Sequence, residues 1–89
     1  MERRRLTFRG HVQGVGFRVS ANALAKSFPL TGFIQNNTDG AVTMEVQGDQ
    51  AQIESYLLDF RERMSGYIKE EEDLPVPVVV TEPVFEIRH

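Results

Sequence analysis

Leu6 and Phe8 alternate with Arg5, Thr7 and Arg9. That period of two predicts a strand with one buried face. A loop from Gly10 to Gly16 comes next. Phe17, Ala21, Leu24, Ala25 and Phe28 then fall at helical spacing, with Pro29 ending the run, so a first helix of about three turns is expected. Leu30 to Gln35 reads as a second strand and Asn36-Asn37-Thr38-Asp39-Gly40 as a turn. Val42, Met44 and Val46 alternate with Thr43, Glu45 and Gln47 in the clearest strand of the chain, completing a hairpin. Asp49 with Gln52 three residues on reads as a variant capping box for a second helix. Ile53, Leu57, Phe60 and Met64 mark its buried stripe, and Gly66 ends it.

The last quarter carries a weaker pattern. Tyr67 to Leu74 is a strand candidate with poor alternation and high charge, and Pro75 and Pro77 interrupt the stretch up to Val80. Phe85 and Ile87, alternating with Glu86 and Arg88, read as a terminal edge strand. The order is β-α-β-β-α-β with room for a short fifth strand. Its simplest packing is an α+β, ferredoxin-like sandwich, an antiparallel sheet with both helices on one face. The first and third strands are then central neighbours, with the second beside the third.

Length limits this to one domain, 1–89, since 89 residues leave no room for a second core. A composition of 40% hydrophobic and 26% charged residues is that of an ordered, soluble domain. With no cysteine there are no disulfides and no thiolate nucleophile. The basic start MERRRLTFRG is not followed by an apolar run, and no stretch approaches a membrane span, so a cytoplasmic location is expected. A net charge of −3 argues against nucleic-acid binding. Arg3, Arg4, Arg5, Arg9 and Arg18 nevertheless crowd the first fifth of the chain, where they are expected to attract an anion. Glu70, Glu71, Glu72 and Asp73 read as solvated surface.

The chemistry concentrates in Gly10-His11-Val12-Gln13-Gly14-Val15-Gly16-Phe17-Arg18, which joins the first strand to the first helix. Its glycines allow close approach by a ligand, and successive N–H groups with a helix N-terminus can converge on an anion. Arg18 in the first helical turn can add two parallel hydrogen bonds to phosphate. The loop is neither a P-loop nor a dinucleotide fingerprint. On the residues alone a plain tight connection with Arg18 in solvent stays open. So does Asn36 as an ordinary turn asparagine.

These two segments resemble the acylphosphatase family. Its first motif, Gly-x-Val-Gln-Gly-Val-x-Phe-Arg, is matched by Gly10 to Arg18. Its second is matched by Gly32-Phe33-Ile34-Gln35-Asn36, then Gly40, Val42 and Gly48. The closing Phe85-Glu86-Ile87-Arg88 is similar to that of many members. Phe8 and Ile34 depart from commoner residues by apolar swaps, and Tyr67 to Pro83 matches poorly. The resemblance implies a βαββαβ sandwich that hydrolyses acyl phosphates to a carboxylate and inorganic phosphate. It implies that Arg18 binds phosphate and Asn36 orients the attacking water. The phosphate-binding loop would be Val12, Gln13, Gly14, Val15, Gly16, Phe17 and Arg18.

The residue inventory suits such chemistry. His11 and His89 have no accompanying ligand cluster, so no metal or other cofactor is expected. His11 is read as a loop residue, and Ser20 has no adjacent base. A site built on positioning and charge needs a good leaving group, which the carboxylate of an acyl phosphate supplies. The expected partner is thus a small acyl phosphate, with no nucleic acid and no membrane, and the protein is expected to be a monomer. A related domain handling carbamoyl phosphate, as at the amino terminus of larger hydrogenase-maturation proteins, is the nearest alternative. The family-like ending at His89 favours a free-standing enzyme. An RNA-binding module would show aromatics on the central strands, where the exposed positions are expected to be Thr43, Glu45 and Gln47.

Overall fold

The computed structural model describes residues 1–89 as β1 (Glu2–Gly10), α1 (Phe17–Ala25), β2 (Thr31–Asn36), β3 (Val42–Gly48), α2 (Gln50–Arg63), β4 (Ile68–Pro75) and β5 (Phe85–Arg88). The five strands form one sheet in the order β4-β1-β3-β2-β5. β1 pairs antiparallel with β3 and β4, and β2 antiparallel with β3. This is the ferredoxin-like sandwich expected. The terminal strand extends it, because β5 pairs parallel with β2 and makes the sheet mixed.

Both helices cover one face. Leu6 and Phe8 from β1, Val42, Met44 and Val46 from β3 and Ile34 from β2 join Phe17, Ala21, Leu24 and Ala25 of α1 and Ile53, Tyr56, Leu57 and Phe60 of α2 in a single buried cluster. Each α1 position read as apolar stripe is buried, apart from Phe28, which packs partly against the core beyond the helix. The α2 stripe also contains Tyr56, fully buried, which the apolar spacing missed. Its hydroxyl donates to the Ala21 carbonyl at 2.8 Å, so the phenol is satisfied between the two helices. Burial pushes its pKa well above the ordinary value.

Phe8, Phe17 and Phe60 meet edge to face, with centroids 4.9–5.7 Å apart. Such pairs each contribute roughly 0.5–1.5 kcal/mol beyond burial. Because Phe17 is the first residue of α1, this cluster fixes the helix start on the sheet and aims the next residue, Arg18.

The opposite face departs from the sequence reading. Glu45 and Gln47, expected to be exposed, are 8% and 5% accessible, and Arg3 is 3% accessible. The segment between β4 and β5 crosses them. Arg3 Nε donates to Glu45 at 2.6 Å, while its other nitrogens donate to both Glu82 oxygens at 2.7 and 3.0 Å. Gln47 exchanges two 2.8 Å bonds with the backbone of Val79. Burial alone would raise the Glu45 pKa, but hydrogen bonds from Arg3 and Arg5 outweigh it and hold the carboxyl below its ordinary value. Glu82 is likewise held low by Arg3 and Thr31 against its burial. Phe33 lies under the Arg88 guanidinium, 4.0 Å from ring centroid to Cζ, and is only 8% accessible. The sheet therefore offers no exposed aromatic platform of the kind an RNA-binding face requires.

The basic run is spent on the same task. Arg4 pairs with Glu54 and Asp73, Arg5 with Glu45 at 2.8 Å and Arg9 with Asp39 at 3.1 Å. The expectation that these arginines attract an anion is thus not met, because each already faces a carboxylate. In the acidic run Glu70 and Glu72 are solvated as expected. Glu71 is instead paired with Arg61, and Asp73 with Arg4.

Candidate active site

The chain leaves β1 at Gly10 and re-enters regular structure at Phe17. Gly14 and Gly16 both take φ +77°, a left-handed conformation that costs a residue with a Cβ about 1–2 kcal/mol. Gly16 is the N-cap of α1 and has no side chain to satisfy the helix N–H groups. Ser20 N–H is the first to find a carbonyl, that of Gly16 at 2.9 Å. The N–H groups from Gly14 to Val19 donate to no backbone or side-chain acceptor of the protein. They form a strip of donors at the positive end of a helix.

Arg18 is the second residue of that helix. Its guanidinium makes one long bond, 3.3 Å to the Arg88 carbonyl, and meets no carboxylate. Six other arginines are ion-paired. Of the crowd of arginines in the first fifth of the chain, Arg18 alone keeps its charge free for a ligand.

Asn36 ends β2, opposite Val42 of β3. The turn beyond it is built by other side chains. Asn37 Nδ2 donates to Thr43 Oγ1 at 2.8 Å, Asn37 N–H donates to the Ala41 carbonyl at 2.8 Å, and Asp39 accepts from Ala41 N–H at 3.0 Å. The hydrogen bonds from Ala41 N–H and Arg9 hold the Asp39 carboxyl below its ordinary pKa. The role of turn asparagine thus falls to Asn37, and the Asn36 carboxamide, exposed and bonded to no protein group, is not consumed by it.

Arg18 and Asn36 line one pocket of about 210 Å³, with Gly14, Gly16, Val19, Ile87 and His89 around it and Val12 and Phe17 at its floor. Val12 and Phe17 are 1% and 2% accessible, so within the expected loop their side chains belong to the core. Gln13 turns away toward the β2–β3 turn, and Val15 packs against the core. His89, which the sequence reading gave no role, also lines the pocket. His11 is exposed, its N–H bonded to the Tyr67 carbonyl at 2.9 Å, which fits its reading as a loop residue. No three His, Cys, Asp or Glu side chains come together as a metal-binding group. The pocket is smaller than the roughly 300–1,000 Å³ of sites that enclose a drug-sized ligand. It suits the head group of a substrate rather than the whole of a large one.

No helix is long and apolar enough to cross a membrane. The family model described as acylphosphatase matches residues 4–73. An acylphosphatase of Clostridium acetobutylicum is 34% identical over 89 residues, covering 98% of this chain and 97% of that protein. One from Corynebacterium glutamicum is 42% identical over 69 residues, 75% of this chain and 73% of that one. In fold, the chain superposes on the crystal structure of acylphosphatase from Bacillus subtilis with a TM-score of 0.88, at 22% identity and full coverage of both. It also superposes, with a TM-score of 0.84 and 26% identity, on a part of full-length HypF in a phosphate- and nucleotide-bound form; 99% of this chain is covered but 12% of that one. Motif, fold and extended sequence identity converge: the chain belongs to the acylphosphatase family and is an enzyme that hydrolyses acyl phosphates to a carboxylate and inorganic phosphate.

Proposed function

We propose that Arg18 and the amides from Gly14 to Arg18 bind the phosphoryl oxygens while Asn36 holds the attacking water. The observation that carries this is the shared pocket: a guanidinium without a carboxylate and a carboxamide without a partner face one space beside unpaired N–H groups. Water attacks phosphorus in line, the new O–P bond forms as the bond to the acyl oxygen breaks, and the electron pair leaves on the carboxylate. That leaving group departs without protonation, so the lack of a strong general acid is no handicap. The water's proton passes to a phosphoryl oxygen of the substrate. Arg18 and the amides act on charge already spread over the equatorial oxygens, and positioning supplies the remainder. No metal takes part in this scheme. We read residues 1–89 as one such domain, a cytoplasmic monomer acting on a small acyl phosphate without cofactor, nucleic acid or membrane.

The test is hydrolysis of an aryl acyl phosphate and of carbamoyl phosphate, with and without chelator, by wild type and Asn36→Ala. Activity should survive chelator. Asn36→Ala should lower kcat by roughly 10²-fold with a small change in KM. Full activity in Asn36→Ala would contradict the water-holding role, and loss of activity with chelator would contradict the metal-free scheme.

A further inference from the structure

Gln13 is the one residue of the loop whose side chain hydrogen-bonds to the turn that follows Asn36. Its Nε2 donates to the carbonyl of Asn37 at 2.9 Å and to that of Ala41 at 2.9 Å. A primary amide nitrogen has two protons, and both are used. The two acceptors are not arbitrary. Asn37 directly follows Asn36, and Ala41 directly precedes Val42, the residue that Asn36 faces in the β2–β3 pairing. Asn37 N–H also closes on the Ala41 carbonyl, so Gln13 binds the neck of the turn from which the Asn36 side chain projects. At its own end Gln13 directly precedes Gly14 and lies within the run of N–H groups, Val12 to Val19, that meet no acceptor of the protein.

The loop and the end of β2 have few other ties. The cradle's backbone donates nothing to the turn, and the Asn37–Thr43 bond acts within the hairpin. Core packing of Val12 and Phe17 seats the loop, and its hydrogen-bonded tie to the turn is one half-buried side chain, Gln13. We propose that Gln13 is a positioning residue that sets the register between the phosphate-binding amides and the water held by Asn36. This rests on the water-holding role proposed for Asn36. It assigns the Gln13 side chain to the placement of the nucleophile rather than to the binding of phosphate, because both of its amide protons point at the turn. A misplacement of about 1 Å between such groups can cost up to 10²-fold in rate.

The experiment is a double-mutant cycle on saturating kcat, with folded fraction monitored by thermal melting. Gln13→Met keeps the length and removes both donors. It should lower kcat about tenfold and change KM by less than about twofold. Gln13→Lys, whose ammonium can donate to both carbonyls, should recover most of that loss. In an Asn36→Ala background, Gln13→Met should leave kcat unchanged, since the group it positions is gone. A purely structural role predicts the same tenfold loss in both backgrounds and would overturn the proposal. So would wild-type kcat in Gln13→Met, or Gln13→Lys no better than Gln13→Met. If Gln13→Met does not fold, Gln13→Asn withdraws the amide by one methylene and carries the same expectations. Asn36→Ala with wild-type kcat would instead refute the underlying role of Asn36, and that single variant separates the two failures.

Discussion

Replacing Arg18 with lysine separates charge from geometry at the centre of the site. The guanidinium has no carboxylate partner and only a 3.3 Å bond to the Arg88 carbonyl, so little folding energy depends on it. A surface change of this kind costs about 0.5 kcal/mol or less, which in a domain this size is a melting shift of roughly 2–4 °C. Binding should respond far more. Two parallel charge-assisted hydrogen bonds to phosphate are worth roughly 1.5–3 kcal/mol each, and lysine keeps the charge and one of them. Losing one bond corresponds to about a 10- to 150-fold fall in kcat/KM. Arg18→Ala loses both and the charge, a fall of roughly 10²–10⁴-fold. The assay is initial-rate hydrolysis of an aryl acyl phosphate followed by ultraviolet absorbance, with thermal melting of each variant as control. Lysine matching wild type while alanine falls would refute the two-bond geometry and leave only charge. Alanine matching wild type would remove Arg18 from the site altogether.

Other expectations test the frame around the site. Glu45 and Glu82 have folded pKa values held below their ordinary 4.5, so the stability they confer is present above that value and lost as pH falls through the depressed ones. Glu82→Gln should cost about 1–3 kcal/mol at pH 7 and flatten the fall in melting temperature below pH 4.5; an unchanged acid limb would contradict the pairing with Arg3. Gly32→Ala should be far worse than Gly16→Ala. A Cβ on Gly32 would lie 1.9 Å from the Glu45 carbonyl oxygen, on the neighbouring strand, whereas one on Gly16 meets nothing within 4 Å. Chemical denaturation should show a loss above about 3 kcal/mol for Gly32→Ala and about 1 kcal/mol for Gly16→Ala.

Legibility in the chain depends on where each interaction is encoded. Helix α1 and strand β3 carry their burial as local periods, so Phe17, Ala21, Leu24, Val42, Met44 and Val46 are legible as core. The glycine loop and the place of Arg18 in the first helical turn are legible because glycine content and the helix start are also local. Pairing between distant segments is not. That Glu45 is buried depends on Arg3 and Arg5 beside it in the β1–β3 pairing and on a later segment crossing over it, none of which shows in an alternating strand. The same long-range pairing neutralises the basic run. Asp49 does cap α2 by position, but its side chain makes no cap bond; Gln52 N–H bonds instead to its carbonyl at 3.0 Å. β4 is faint because it is an edge strand with little apolar face, Ile68 being its one aliphatic contact with the core. At the site, the split of labour between Asn36 and Asn37 needs the turn's hydrogen bonds, since composition cannot say which of two adjacent asparagines the turn consumes.

The most direct measurement is a crystal structure of the wild-type protein with inorganic phosphate bound. Phosphate oxygens should lie roughly 2.7–3.1 Å from the Arg18 guanidinium and from amides between Gly14 and Arg18, with a water on the Asn36 carboxamide facing phosphorus. Phosphate bound away from this pocket, or Asn36 turned from it with no water in line, would contradict the account.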